Sequence, residues 1–246
     1  MAEFTMEIAG HTGRVTSLFD STPHQFSRYL TDRAPEFSVT VREADLPFEQ
    51  AELDREALEE GFRRRVFTDP FLERAAIQRK FAEYLILHDT LLVHGSTVAV
   101  DGKAYLFAAR SGTGKSTHTR LWMRVFGSRA LMVNDDKPFL EITDAAVLAH
   151  GSPWSGKHGL DTNVTVPLQG ICILRRGSEN RIAPLPAEAA LPMLLHQSVL
   201  PGDRRPADRL DALTEELARH VRLWQMDCTK DPEAARMAWQ AMSETE

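Results

Sequence analysis

An apolar strand that runs straight into a glycine-rich turn, which then opens an apolar-periodic helix, restricts a chain to few folds. KAYLFAARSGTGKSTHTRLWMRVF at 103–126 has that order. Within it, Ala109-Arg110-Ser111-Gly112-Thr113-Gly114-Lys115-Ser116 satisfies the Walker A pattern at every defined position except the first glycine, where Ala109 stands. Gly112 and Gly114 let the backbone turn where a side chain would obstruct it, so that successive N–H groups point at phosphate oxygens. Lys115 supplies a cation to the β- and γ-phosphates and Ser116 offers a hydroxyl to a metal, while the following helix directs its positive end at the same anion. Ala109 fits if the strand enters the loop at negative φ and is strained if φ is positive. The expected cradle is Ser111, Gly112, Thr113, Gly114, Lys115, Ser116 and Thr117, with ATP and Mg2+ as cofactors.

Upstream, STVAV and KAYLFA flank Asp101-Gly102, the dipeptide of a tight hairpin. Downstream, ALMVN reads as a buried strand ending at Asp135-Asp136, where an acid is expected to hold magnesium against the phosphates. Two adjacent acids suggest two jobs, one positioning the metal and one taking a proton from an attacking hydroxyl, although NDDKP is also good turn chemistry. Which aspartate does which is left open. Ser116, Asp135 and Asp136 are thus the expected metal site, and His94, Lys115, Asp135, Asp136 and Lys157 the candidate catalytic residues. Lys157, on the glycine-flanked GSPWSGKHG stretch, is a candidate second stabiliser of phosphate charge. Arg175-Arg176 ends a strand and reads equally as a substrate contact or a surface strand end. Arg63-Arg64-Arg65 reads as a solvated face, and Trp122 and Trp239 as core.

A formal charge of −6 argues against a surface for nucleic acid or anionic lipid, and no segment reaches the length of a membrane span. MAEFTMEIAG lacks the basic and apolar regions of a signal peptide, so a cytoplasmic location is expected. Cys172 and Cys228, both in apolar runs and outside any CxxC pair, read as buried reduced thiols, and the histidines form no zinc pattern.

The remaining pattern organises the chain. Residues 1 to about 50 read as short strands and turns (FTMEIAG, RVTSLF, FSVTVREADLPF), and helical spacing begins at Pro70 and runs to about 88. PFLEI, AVLAH and GICILRR read as strands. Helices are expected over about 187–199 and 206–219, an exposed loop at 201–208, a strand near 221–227 and a helix from Pro232 to Met242. The expected domains are a small N-terminal β-containing subdomain, 1–68, and a core, 69–246, with the fold class α/β: a twisted mixed sheet flanked by helices.

The run from His94 to Asp136, with VHG, hairpin, SGTGKS loop, helix and Asp-Asp strand end, resembles the core of the HPr serine kinase/phosphorylase family. SGTGKST also resembles the loop of ATP-dependent phosphoenolpyruvate carboxykinase, whose nucleotide core shares that P-loop fold. The resemblance implies a phosphotransferase in which Gly112 to Ser116 bind ATP phosphates, Ser116 and an acid of the Asp135-Asp136 pair hold magnesium, and His94 lies near the transferred phosphate. GSPWSGKHG stands where the family carries a glycine-rich stretch with an acid and an arginine, so the resemblance leaves the acceptor open: a protein, peptide or small molecule bearing a hydroxyl. A homo-oligomer is compatible with this reading. The alternatives are a phosphoenolpyruvate carboxykinase-like lyase and a non-catalytic nucleotide-binding module.

Overall fold

The strand KAYLFA alternates two apolar faces, so it needs cover on both sides, and the structure provides it. The computed structural model describes residues 1–198 and 204–244, with the side chains of 204–207 left undescribed. The chain forms two compact units, Met1–Leu85 and Ile86–Glu246.

In the first unit, β1 (Ala2–Ile8) and β2 (His11–Ser17) form an antiparallel hairpin whose turn places Ala9 and Gly10 at φ 50 and 80. A short helix α1 (Thr22–Gln25) follows, and β3 (Phe37–Thr40) adds parallel to β2. The strand expected through FSVTVREADLPF therefore stops at Thr40. From Asp45 the chain is helical, as α2 (Asp45–Glu59), which the sequence reading missed. None of its apolar residues, Leu46, Phe48, Ala51, Leu53, Ala57 and Leu58, is fully buried, and among its side chains only Glu49 is, so they form no core-facing stripe that would have announced it. What holds it is charge: Arg79 of α3 (Asp69–Leu85), braced by Glu83 of the same helix at 2.8 Å, reaches Glu49 at 2.7 Å and Asp45 at 3.3 Å.

In the second unit, β4 (Thr90–Leu92), β5 (Ser96–Val100) and β6 (Lys103–Ala108) precede α4 (Lys115–Phe126) and β7 (Ala130–Asn134). Then come β8 (Phe139–Ile142), β9 (Val147–His150), the long β10 (Thr165–Arg176) and β11 (Arg181–Pro184). Helices α5 (Ala187–Gln197) and α6 (Arg204–His220), strand β12 (Arg222–Cys228) and helix α7 (Pro232–Ser243) complete the unit. Of the loop expected at 201–208, residues 201–203 lie outside the described residues, and 204–208 open α6 instead.

The nine strands form one mixed sheet, β4-β8-β9-β10-β6-β5-β7, with β12 on β10 and β11 on β12. Asp101 and Gly102, at φ 51 and 75, make the expected hairpin between β5 and β6. Side chains alternate across β6 as a pleated strand requires. Ala104, Leu106 and Ala108 pack with Ala190 and Leu194 of α5 and Leu213 and Leu217 of α6, whereas Tyr105 and Phe107 pack with Trp122 of α4 and Ala234 and Ala238 of α7. The sheet thus lies between α5 with α6 on one face and α4 with α7 on the other. Cys172 is buried, but Cys228 at the end of β12 is only half-buried; both are free thiols. Among the described residues no helix is long and apolar enough to cross a membrane.

The second core holds a titratable group. His118 of α4 is buried against Phe107, and its Nε2 accepts from Trp122 Nε1 at 3.1 Å, so this nitrogen carries no proton. Burial pushes the ring down from its ordinary 6.5 to about 4. Between these values the unfolded chain takes up a proton that the folded chain refuses, so stability falls as pH drops from 6.5 toward 4. His118→Phe is expected to flatten that part of the stability profile in urea titrations; an unchanged slope would contradict the assignment.

Candidate functional site

Strand directions bring the sequence-marked residues to one edge. β5 pairs antiparallel with both β6 and β7, so β6 and β7 run parallel to each other, and β10 and β12 run parallel to β6. The glycine-rich loop after β6, Asp135-Asp136 after β7 and Arg175-Arg176 at the end of β10 all emerge at the carboxyl edge, and His94-Gly95 enters there ahead of β5. Crevices at such edges are the usual ligand positions of open α/β sheets.

The loop itself has the conformation its glycines permit. Gly112 and Gly114 take φ 73 and 125, while Ala109 keeps a negative φ and is fully buried, so alanine is unstrained there. Helix α4 starts at Lys115 with no side-chain cap, and the N–H groups of a first helical turn have no intrahelical partners. Lys115 is buried and donates from Nζ to Ala109 O at 2.9 Å, closing the loop across its base. Buried Gln197, at the end of α5, accepts from His94 N at 2.6 Å through its backbone carbonyl. With its amide nitrogen turned toward two carbonyls, it donates to His94 O at 2.8 Å and Ala109 O at 3.3 Å. Arg176 contacts the loop from outside, donating to the carbonyls of Gly112 at 2.5 Å and Thr113 at 3.4 Å.

The two aspartates sit in different surroundings. Asp135 is buried, and its Oδ1 accepts from Ser96 Oγ at 2.7 Å and Thr119 Oγ1 at 3.5 Å, tying β7 to β5 and α4. Asp136 is more open, with His94 Nε2 3.3 Å from its Oδ1. Burial raises the Asp136 carboxyl, but the His94 hydrogen bond and the charges of Lys137 and Lys115 outweigh this and hold it below the ordinary carboxylate value. Burial, joined by the charges of Lys137 and Lys115, lowers His94 against the opposing pull of Asp136, so the ring is neutral at pH 7. The turn carrying both acids is built by Asn134, whose Oδ1 accepts from the N–H groups of Asp136 at 2.8 Å and Lys137 at 2.6 Å. Its Nδ2 donates to Ser152 O at 2.9 Å.

Lys115, Asp135, Asp136 and His94 are therefore brought together, with Ser116 and Thr117 on the first turn of α4 and Ser111 and Thr113 in the loop. Lys157 is not: it is exposed on a single turn, Gly156–His158. Its neighbour Gly156 faces Asp136, where an added Cβ would lie 3.1 Å from the Asp136 Cβ. The sequence reading missed Lys137, Asn134, Ser96, Thr119 and Gln197. Asn134 and Lys137 flank the acidic pair in sequence and had a readable signal, Asn134 through the turn its side chain makes to the next residues; the others are placed by contacts distant in sequence.

Among the described residues no group of three or more His, Cys, Asp or Glu could hold a metal ion. The donors present, one hydroxyl and two carboxylates, fit a cation that takes one or two carboxylates and completes its shell with phosphate oxygens and water, as magnesium does. Ser96→Ala would strip buried Asp135 of its closest donor. It is expected to lower unfolding stability by about 1–3 kcal/mol, read from the urea midpoint; no shift would show that Asp135 does not depend on that bond.

No curated protein sequence matches this chain significantly. Matching solved structures include the Hpr(Ser) kinase/phosphatase from Coxiella burnetii, at 10% identity and a TM-score of 0.37, the alignment covering 62% of this chain and 99% of that one. A likeness of that strength carries no argument about activity. Residues 77–201, just over half of the chain, match the family described as SynChlorMet cassette protein ScmC, and the chain belongs to that family.

Proposed function

We propose that the chain is an ATP- and magnesium-dependent kinase that transfers the γ-phosphoryl group to a hydroxyl, either of serine in a protein or peptide or of a small molecule. The observation that carries the reading is the convergence of Lys115, Asp135 and the His94–Asp136 pair at one sheet edge, beside the uncapped first turn of α4.

Each residue then has a task. The N–H groups from Gly112 to Ser116 would cradle the phosphates, and Lys115 would turn from Ala109 O to a phosphate oxygen. Ser116 and Asp135 would hold magnesium, which would supply positive charge to offset that of the phosphates. Asp135 suits this because Ser96 and Thr119 fix its carboxylate. Asp136 would orient the acceptor hydroxyl and take its proton. A base held below the ordinary carboxylate value is adequate, because phosphoryl transfer depends on positioning and charge neutralisation more than on proton affinity. Neutral His94 would donate to Asp136 and keep it aimed. Lys157, exposed beside the Gly156 turn, would add positive charge once an acceptor covers it.

The test is transfer of label from γ-labelled ATP to a panel beginning with serine-containing peptides and free serine. Asp136→Asn is expected to lower kcat by about 10²- to 10⁴-fold with MgATP affinity little changed; full turnover in that variant would remove Asp136 from the chemistry. Because the active form is ionised and its proton affinity is depressed, kcat is expected to stay flat down to about pH 5 and to fall only at lower pH. His94→Ala removes a bond that lowers the Asp136 carboxyl, so it should move that acid limb upward.

A further inference from the structure

We propose that the nucleoside half of the bound nucleotide lies in the cavity between the glycine-rich loop, the end of β10 and helix α5. This assignment rests on the kinase reading above. The cavity measures about 580 Å³, within the range of about 300–1,000 Å³ that small-ligand pockets occupy. Arg110 and Thr113 of the loop and Arg175 and Arg176 of β10 form one side, and Pro192 and Met193 of α5 belong to the apolar other side. The charged residues on its described wall are all arginines, with no carboxylate among them.

Sheet order decides which end of the nucleotide belongs there. On one side of β6 lie β5 and β7, with the acids and His94; on the other lies β10. Transfer to a hydroxyl requires the terminal phosphate to face Asp136, on the β7 side. A nucleotide whose phosphates occupy the loop then extends its other end toward β10, into a space that Thr113 and Arg110 already border. A base is flat and apolar on its faces, matching Pro192 and Met193, and guanidinium planes stack on aromatic rings. An acceptor in this cavity would sit across the loop from Asp136, which disfavours it as occupant.

Arg176 makes the placement self-consistent. Its guanidinium, a lining group of the cavity, holds the carbonyls of Gly112 and Thr113. In the planar trans peptide that joins Thr113 to Gly114, the Gly114 N–H points opposite to the carbonyl that Arg176 holds. One residue thereby separates the phosphate cradle from the nucleoside wall.

The experiment compares calorimetric binding of MgATP with that of magnesium tripolyphosphate, which has the phosphates and no nucleoside, on the full chain. Ala189 lines the cavity from an exposed position on α5, so Ala189→Trp fills the space with little risk to folding. Met193→Ala, which strips the apolar wall, is the second variant. The wild type is expected to bind MgATP about tenfold or more tightly than tripolyphosphate. Ala189→Trp should erase that advantage and leave tripolyphosphate unchanged, and Met193→Ala should reduce it several-fold. Equal binding of the two ligands to the wild type, or an unchanged MgATP affinity in both variants, overturns the assignment while the phosphate loop stands. So does a defect confined to the acceptor's KM. Failure of the wild type to bind either ligand overturns the kinase reading itself.

Discussion

The double pairing of β5 is the constraint from which the site follows. Because β5 runs antiparallel to β6 on one side and to β7 on the other, two strands that follow one another through α4 leave the sheet at the same edge. The loop that ends β6 and the acids that end β7 are thereby set side by side, with Ser96 at the start of β5 between them. Its hydroxyl bonds Asp135 at 2.7 Å and Thr119 of α4 at 2.8 Å, so one side chain ties strand, helix and acid together. Edge placement is a property of the backbone; the chemistry is added by the few residues that reach it.

The same edge concentrates positive charge in a chain whose formal charge is −6. Lys115 and Lys137 act on the Asp136 carboxylate, and Arg110, Arg175 and Arg176 stand across the loop. The His94 hydrogen bond, aided by the two lysine charges, keeps Asp136 ionised in spite of its burial, and burial, aided by the same charges, keeps His94 neutral. Neither state follows from net charge, which speaks only to the outer surface.

Much of the second unit was legible because its residue types answer local backbone demands. Asp101-Gly102 specifies a hairpin wherever it falls between apolar runs, and Gly112 and Gly114 mark positions at positive φ. The strands PFLEI, AVLAH and GICILRR and the helix from Pro232 were readable from periodicity and capping for the same reason. Gln197 was not legible as a site residue, since it acts through partners far along the chain, His94 and Ala109. Gly151 is a similar case. Nothing local marks it, yet a Cβ there would lie 1.8 Å from Thr162 O, where the chain returns beside β7. Helix α2 went unread because ion pairs with Arg79 hold it where an apolar stripe would have been visible.

The central claim is that the glycine-rich loop binds the phosphates of ATP, and calorimetry of MgATP with the wild type and with Lys115→Ala tests it most directly. Lys115 now donates to Ala109 O within the loop, so its removal subtracts the cation aimed at the phosphates. Binding by the wild type that is largely lost in Lys115→Ala, with magnesium required for full affinity, is the predicted result. Wild-type affinity retained in Lys115→Ala, or no nucleotide binding by either protein, would contradict the account.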